Sequence, residues 1–181
     1  METLKQEFYA PLGRLTMAFS ALESSLAWFI GELLGGDEFI RGLFESQLSF
    51  QRLLNVADGT YSHKVADTAL IERWQSLQSA LAVCEEKRNT VTHSSWGIWW
   101  EEPDVYVSQE KTRIKRGKGI HRYKVKASVD DINNIATDIE NTNLELMNLV
   151  IETNKKGFIH TFDEHLEIVA KIESKPAHST E

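Results

Sequence analysis

Leu12, Leu15, Phe19, Leu22, Leu26, Phe29 and Leu33 recur at alternating intervals of three and four residues. That spacing sets them in one apolar stripe along a helix, and the Gly35-Gly36 pair supplies its stop. Pro11 suits the first turn of such a helix, where its missing N–H has no intrahelical partner, so the residues before it are read as a separate or kinked turn. A second helical region starts near Asp37, breaks around Ser46 to Ser49, and resumes with Phe50, Leu53, Leu54 and Ala57 before Asp58-Gly59. A third helix runs from about Val65 to about Thr92, with Leu70, Trp74, Leu77, Leu81, Cys84 and Val91 on the same kind of stripe. Its one missing member is Arg88, a charged side chain where packing asks for an apolar one, and a buried charge is costly unless paired.

After Ser95 the pattern turns to aromatic and β-branched residues: Trp96, Ile98, Trp99 and Trp100, then Val105, Tyr106 and Val107. Arg116-Gly117-Lys118-Gly119 follows, then Tyr123 and Val125, so strands flanking a glycine-containing turn are expected. This predicts a two- or three-stranded hairpin over about 96–126 whose tip carries positive charge. Trp96, Trp99, Trp100 and Tyr106 are able to stack nucleobases, but aromatic residues of a short sheet beside a bundle are read mostly as core. Ser128, three residues before Asp131, opens a helix carrying Ile132, Ile135, Ile139, Leu146, Leu149 and Val150. Thr161 and Glu164 form a second capping box, opening a shorter helix with Phe162, Leu166, Val169 and Ile172, and residues 174–181 read as a flexible tail. No repeat or linker divides these elements. The expected fold is mainly α: one domain over residues 1–173, an antiparallel bundle of four to five helices with a small β-hairpin insertion between the third and fourth main helices.

Composition changes this picture little. Of 181 residues 41% are hydrophobic and 26% charged, as in an ordinary globular domain, and a chain of this size buries roughly 70% of its unfolded surface. The single cysteine, Cys84, allows no internal disulfide and falls in the third helical stripe, where it reads as buried and inert. The N-terminus lacks a basic start followed by an apolar run, and no apolar stretch approaches the roughly 18 residues that span a bilayer, so a cytoplasmic protein without a membrane partner is expected.

Charge changes it more. A net charge of −7 argues against nucleic acid, but Lys111, Arg113, Lys115, Arg116, Lys118, Arg122, Lys124 and Lys126 lie in one segment with no acid. That segment holds +8, which leaves −15 for the rest of the chain. The first seven of these cations are candidates for RNA contact; the alternative is a solvated sheet edge guarded by lysines.

The segment with the most chemistry is Glu86-Lys87-Arg88-Asn89-Thr90-Val91-Thr92-His93-Ser94-Ser95-Trp96. Cleaving RNA without a metal requires taking a proton from a 2′-hydroxyl, stabilising charge on phosphorus and protonating the leaving oxygen. Histidine, with an unperturbed pKa of about 6.5, suits the proton transfers, and the planar fork of arginine suits the phosphate. Asn89 and His93 are four apart and share a helix face, whereas Arg88 and His93 are turned by about 140° on an ideal helix. Either the helix loosens near Thr92 or two copies of the motif meet across a two-fold axis. The plain alternative makes Arg88 a helix-end cation paired with Glu85 or Glu86 and His93 a C-terminal cap.

This segment resembles the signature of the HEPN superfamily: an Arg followed by a polar residue, then a His after four to six intervening positions, near the end of a late bundle helix. Arg88, Asn89 and His93 match it with four intervening positions. The resemblance implies a metal-independent RNA endonuclease with no cofactor, of the kind found among toxins and defence effectors, with a composite site in a homodimer. In that reading Arg88 binds phosphate, His93 is general acid or base, and Asn89 orients one of them. A non-catalytic dimer serving nucleic-acid binding or protein interaction is the rival. Some members carry a Tyr two positions after the His that a partner antitoxin modifies; Ser95 stands there in this chain, so a possible antitoxin would act by another route.

Other chemistries lack their residues. The positions three before each of the six histidines are Thr60, Thr90, Lys118, Gly157, Phe162 and Lys175, none of them the carboxylate a di-iron bundle uses. Gly35-Gly36 follows a helix and has no Lys-Ser or Lys-Thr after it, so it is no phosphate loop.

Overall fold

A computed structural model describes residues 2–36, 38–101, 104–115 and 119–159. The chain is mainly α-helical, as expected, with five helices and a small three-stranded sheet among the described residues. Their order is α1 (Glu2–Leu33), α2 (Glu38–Gln47), α3 (Phe50–Lys64), α4 (Thr68–Thr92), β1 (Ser95–Glu101), β2 (Asp104–Lys115), β3 (Gly119–Lys126) and α5 (Val129–Lys155). The helix expected from Thr161 and the tail from Ser174 lie outside the described residues, as does the turn with Arg116 and Lys118.

The structure corrects three helix boundaries. The first helix does not begin at Pro11: α1 starts at Glu2 and carries Pro11 inside it. Phe8 stands one step back on the stripe from Leu12 and is buried, its ring 6.0 Å from that of Trp96. Burying a Phe contributes about 1.5–3 kcal/mol, comparable to the roughly 3 kcal/mol a helix loses at an interior proline. Position alone therefore does not make Pro11 a start.

The second region breaks at Leu48–Ser49, within the interval expected, but α3 runs through Asp58-Gly59 to Lys64. Tyr61 supplies the next apolar turn after Ala57, is fully buried, and its hydroxyl lies 3.0 Å from Thr153 Oγ1. Gly59 keeps negative φ, and a Cβ added there meets nothing within 4 Å. Gly59→Ala is therefore expected to stabilise the protein by about 0.5–1 kcal/mol, read as a higher urea midpoint at unchanged slope.

The third helix starts at Thr68 instead of Val65, because Asp67 caps it: Asp67 Oδ1 accepts the Leu70 N–H at 3.0 Å. Asp67 also pairs with Lys156, Nζ to Oδ2 2.7 Å, and these two hydrogen bonds, the lysine's first, hold its carboxyl below the usual aspartate value. Such a carboxylate contributes stability above its ordinary pKa and loses it as pH falls through the lowered one. Asp67→Ala is expected to lower the melting temperature at neutral pH, and the difference from wild type should vanish below the lowered pKa.

The described residues fall into two compact units, one within Met1–Glu23 and Leu77–Leu144, the other within Ser24–Ser76 and Glu145–Glu181. In the second, Phe29, Tyr61 and Trp74 make an aromatic cluster with ring centroids 5.3–5.7 Å apart, and Trp74 Nε1 donates to Asp58 Oδ1 at 3.0 Å. There α1 ends on Gly35 and Gly36, both at positive φ, with the Gly36 N–H on Gly31 O at 2.9 Å.

In the first unit Leu15, Phe19, Leu22, Leu81, Cys84, Ile132, Ala136 and Ile139 form the core. Cys84 is buried as expected, with Sγ 3.4 Å from Thr142 Oγ1. Arg14 reaches Glu140 and Thr137, and Lys87 reaches Asp138. Ser128 caps α5, its Oγ accepting the Asp131 N–H at 3.4 Å.

The inserted sheet has the order β1-β2-β3, antiparallel throughout, with Trp99 opposite Tyr106 and Glu110 opposite Lys124. Side chains alternate between faces along each strand. One face, with Val107, Gln109 and Lys111, is fastened to the end of α4. Gln109 Nε2 donates to Thr90 O at 2.7 Å, Lys111 Nζ to Thr90 Oγ1 at 3.0 Å and Trp96 Nε1 to Val91 O at 3.1 Å. The bonds from Gln109 and Trp96 satisfy carbonyls that a helix C-terminus leaves unpaired, and Lys111 holds the Thr90 hydroxyl.

Candidate functional site

Arg88 occupies the seam position of α4 that the periodicity assigned to an apolar side chain, and it is half-buried. Its guanidinium carbon sits 4.2 Å from the centre of the Phe19 ring, so a cation–π contact replaces the missing apolar one. Arg88 Nη1 donates to Asn89 Oδ1 at 2.7 Å. Asn89 also hydrogen-bonds the Glu85 carboxyl, whose pKa is raised by burial against the lowering influence of Arg88 and Asn89. Glu85, Arg88 and Asn89 thus make one half-buried polar cluster inside the first unit.

His93 stands apart from that cluster. The helical ladder continues through it, with His93 N–H on Asn89 O at 3.1 Å, so α4 does not loosen before Thr92. Its side chain is exposed. Within one chain the structure brings Arg88 and Asn89 together and leaves the imbidazole on a different side of the helix, as the five-residue spacing requires.

The cations of the insertion are spread along two strands. Lys111 is bonded to Thr90, whereas Arg122 and Lys124, on β3, are exposed. Arg113 and Lys115 hold register positions on β2 opposite His121 and Gly119, and Arg116 and Lys118 lie outside the described residues. Trp96 is half-buried against Phe8, as an aromatic core residue should be. Trp99 is an exception: it is 46% exposed, because strand alternation turns it to the face opposite Trp96. Lys124 Nζ stands over its ring, and Lys126 Nζ lies 5.6 Å from the ring centre of Tyr106.

Sequence reasoning missed Phe19 as the platform under Arg88 and the junction of α4 with β2. That junction borders a cavity of about 260 Å³ lined by Thr90, Ser94, Gln109, Lys111, Tyr123 and Val125. Only the position of Thr90 and Ser94 on either side of the motif's end signalled it. Among the described residues no three His, Cys, Asp or Glu side chains gather as metal ligands, and no helix is long and apolar enough to cross a membrane. No family model, no curated protein and no solved structure matches the chain.

Proposed function

We propose that the protein is a metal-independent RNA endonuclease of HEPN type, working as a homodimer in the cytoplasm. The observation that carries this reading is Arg88, a guanidinium kept half-buried in an apolar seam by the Phe19 ring and Asn89. Holding a cation there is costly for stability alone, and a pre-set fork is what a phosphodiester requires. Arg88 binds the phosphate, Asn89 orients that fork, and the exposed imidazole of His93 exchanges protons with the 2′-hydroxyl or the leaving oxygen. Because Arg88 and His93 diverge on one helix, the two groups converge by pairing one protomer's arginine with its partner's histidine. The basic strands supply sequence-independent attraction for RNA. Residues of a toxin or defence effector, held in check by an antitoxin protein, fit the same chemistry.

The test is cleavage of RNA by the purified chain in EDTA, run beside a measurement of mass in solution. A dimer that yields 2′,3′-cyclic phosphate ends supports the reading; a monomer, or a dimer inert toward every RNA tried, overturns it.

The contacts of Arg88 within its own chain favour a second reading, a dimer without turnover in which the motif braces the fold for nucleic-acid or protein binding. There Arg88→Ala unfolds the protein, whereas in the first reading it silences a folded one.

A further inference from the structure

The face of the sheet turned away from the end of α4 carries Gly97 and Trp99 on β1, Tyr106, Ser108 and Glu110 on β2, and Arg122, Lys124 and Lys126 on β3. Three details make it more than a solvated surface. A Cβ on Gly97 would lie 3.9 Å from Trp99 Nε1, so the indole rests along the strand over the glycine. Ser108, opposite Gly97 on the same face, is fully buried, its Oγ donating to Gly97 O at 3.4 Å. The Lys124 ammonium stands over the indole ring. The Trp99 ring therefore touches the strand at Gly97 and a cation from β3.

We infer that this face is a stacking platform for single-stranded RNA, with Trp99 and Tyr106 receiving bases and Arg122, Lys124 and Lys126 receiving phosphates. The inference rests on the reading above for its choice of RNA. A base stacked on an aromatic ring contributes more than an exposed ammonium over the same ring. An arriving base displaces Lys124 from Trp99, and the freed ammonium takes the adjacent phosphate. Charge complementarity lies along β3, which carries Arg122, Lys124 and Lys126 and no acid, whereas the acids of this face, Glu101, Asp104 and Glu110, hold register positions on β1 and β2. A duplex keeps its bases stacked inside and has none to offer the ring.

The experiment measures anisotropy of a fluorescein-labelled single-stranded RNA on the full-length His93→Ala variant in EDTA, so that cleavage does not enter. Duplex RNA of the same sequence and a DNA copy serve as competitors. Single-stranded RNA is expected to bind more tightly than duplex, and Trp99→Ala is expected to weaken it roughly 5- to 100-fold, with Trp99→Phe restoring most of the loss. Lys124→Gln should lower the slope of log affinity against log salt by about 0.7, the release expected for one phosphate of a single strand. Equal affinity for duplex, unchanged binding by Trp99→Ala in a protein with wild-type melting, or preference for DNA overturns the inference. Binding without any cleavage by wild type would overturn the nuclease reading and leave the platform standing. Cleavage with no effect of Trp99 would do the reverse.

Discussion

His93→Ala is expected to lower RNA cleavage by roughly 10²- to 10⁴-fold, the range that a positioned acid or base contributes. The imidazole is exposed at the end of α4 and takes no part in the core, so melting temperature and mass in solution should stay at wild-type values. That separation gives the experiment its power, because a structural histidine would cost stability first and activity only as a consequence. Mixing His93→Ala with Arg88→Ala protomers sharpens it further. If each site is composite, the mixed dimer keeps one intact pair, and part of the lost rate returns. Wild-type cleavage by His93→Ala would remove the proposed chemistry altogether.

Trp74→Ala is expected to cost about 3–5 kcal/mol, a large share of the 5–15 kcal/mol by which domains are stable. Trp74 is fully buried and packs its ring against Phe29 and Tyr61. Its removal leaves a cavity among rigid rings that close in poorly, and it also strips Asp58 of the indole N–H it accepts. Denaturant unfolding followed by tryptophan fluorescence and by circular dichroism measures the loss. A cost below about 1 kcal/mol would mean that the cluster relaxes freely, contrary to close packing. Trp74→Phe retains ring packing and should lose much less.

The helices were legible because their stripes are long: Leu15, Phe19, Leu22, Leu26 and Phe29 are all buried, and so are Leu70, Trp74, Leu77 and Leu81. Local signals competed with packing at the ends, and packing won. Pro11 and Gly59 read as boundaries, yet Phe8 and Tyr61 each add a buried turn beyond them. In the sheet, strand alternation was visible, but which face met the helices was not, since that depends on bonds from Gln109 and Lys111 to Thr90. The expectation that most of the four aromatic residues are core therefore could not say which one stands outside, and that one is Trp99. At the candidate site the seam position of Arg88 was readable from spacing alone. Phe19 beneath it was not, because it lies 69 positions earlier and only tertiary structure brings the ring to the cation.

β3 is bonded to β2 on one side only among the described residues, and all but one of its side chains are exposed. Its free backbone edge is a template on which another strand can grow, the usual route to fibrous self-association. Two copies meeting there antiparallel would set Arg122, Lys124 and Lys126 of one against the same cations of the other. Repulsion between like charges keeps that growth in check, and salt weakens it, since the screening length shrinks from about 10 Å at 0.1 M to about 3 Å at 1 M. Colloidal behaviour of this protein should consequently worsen as ionic strength rises, and any two-fold pairing at ordinary salt has to use a surface other than this rim.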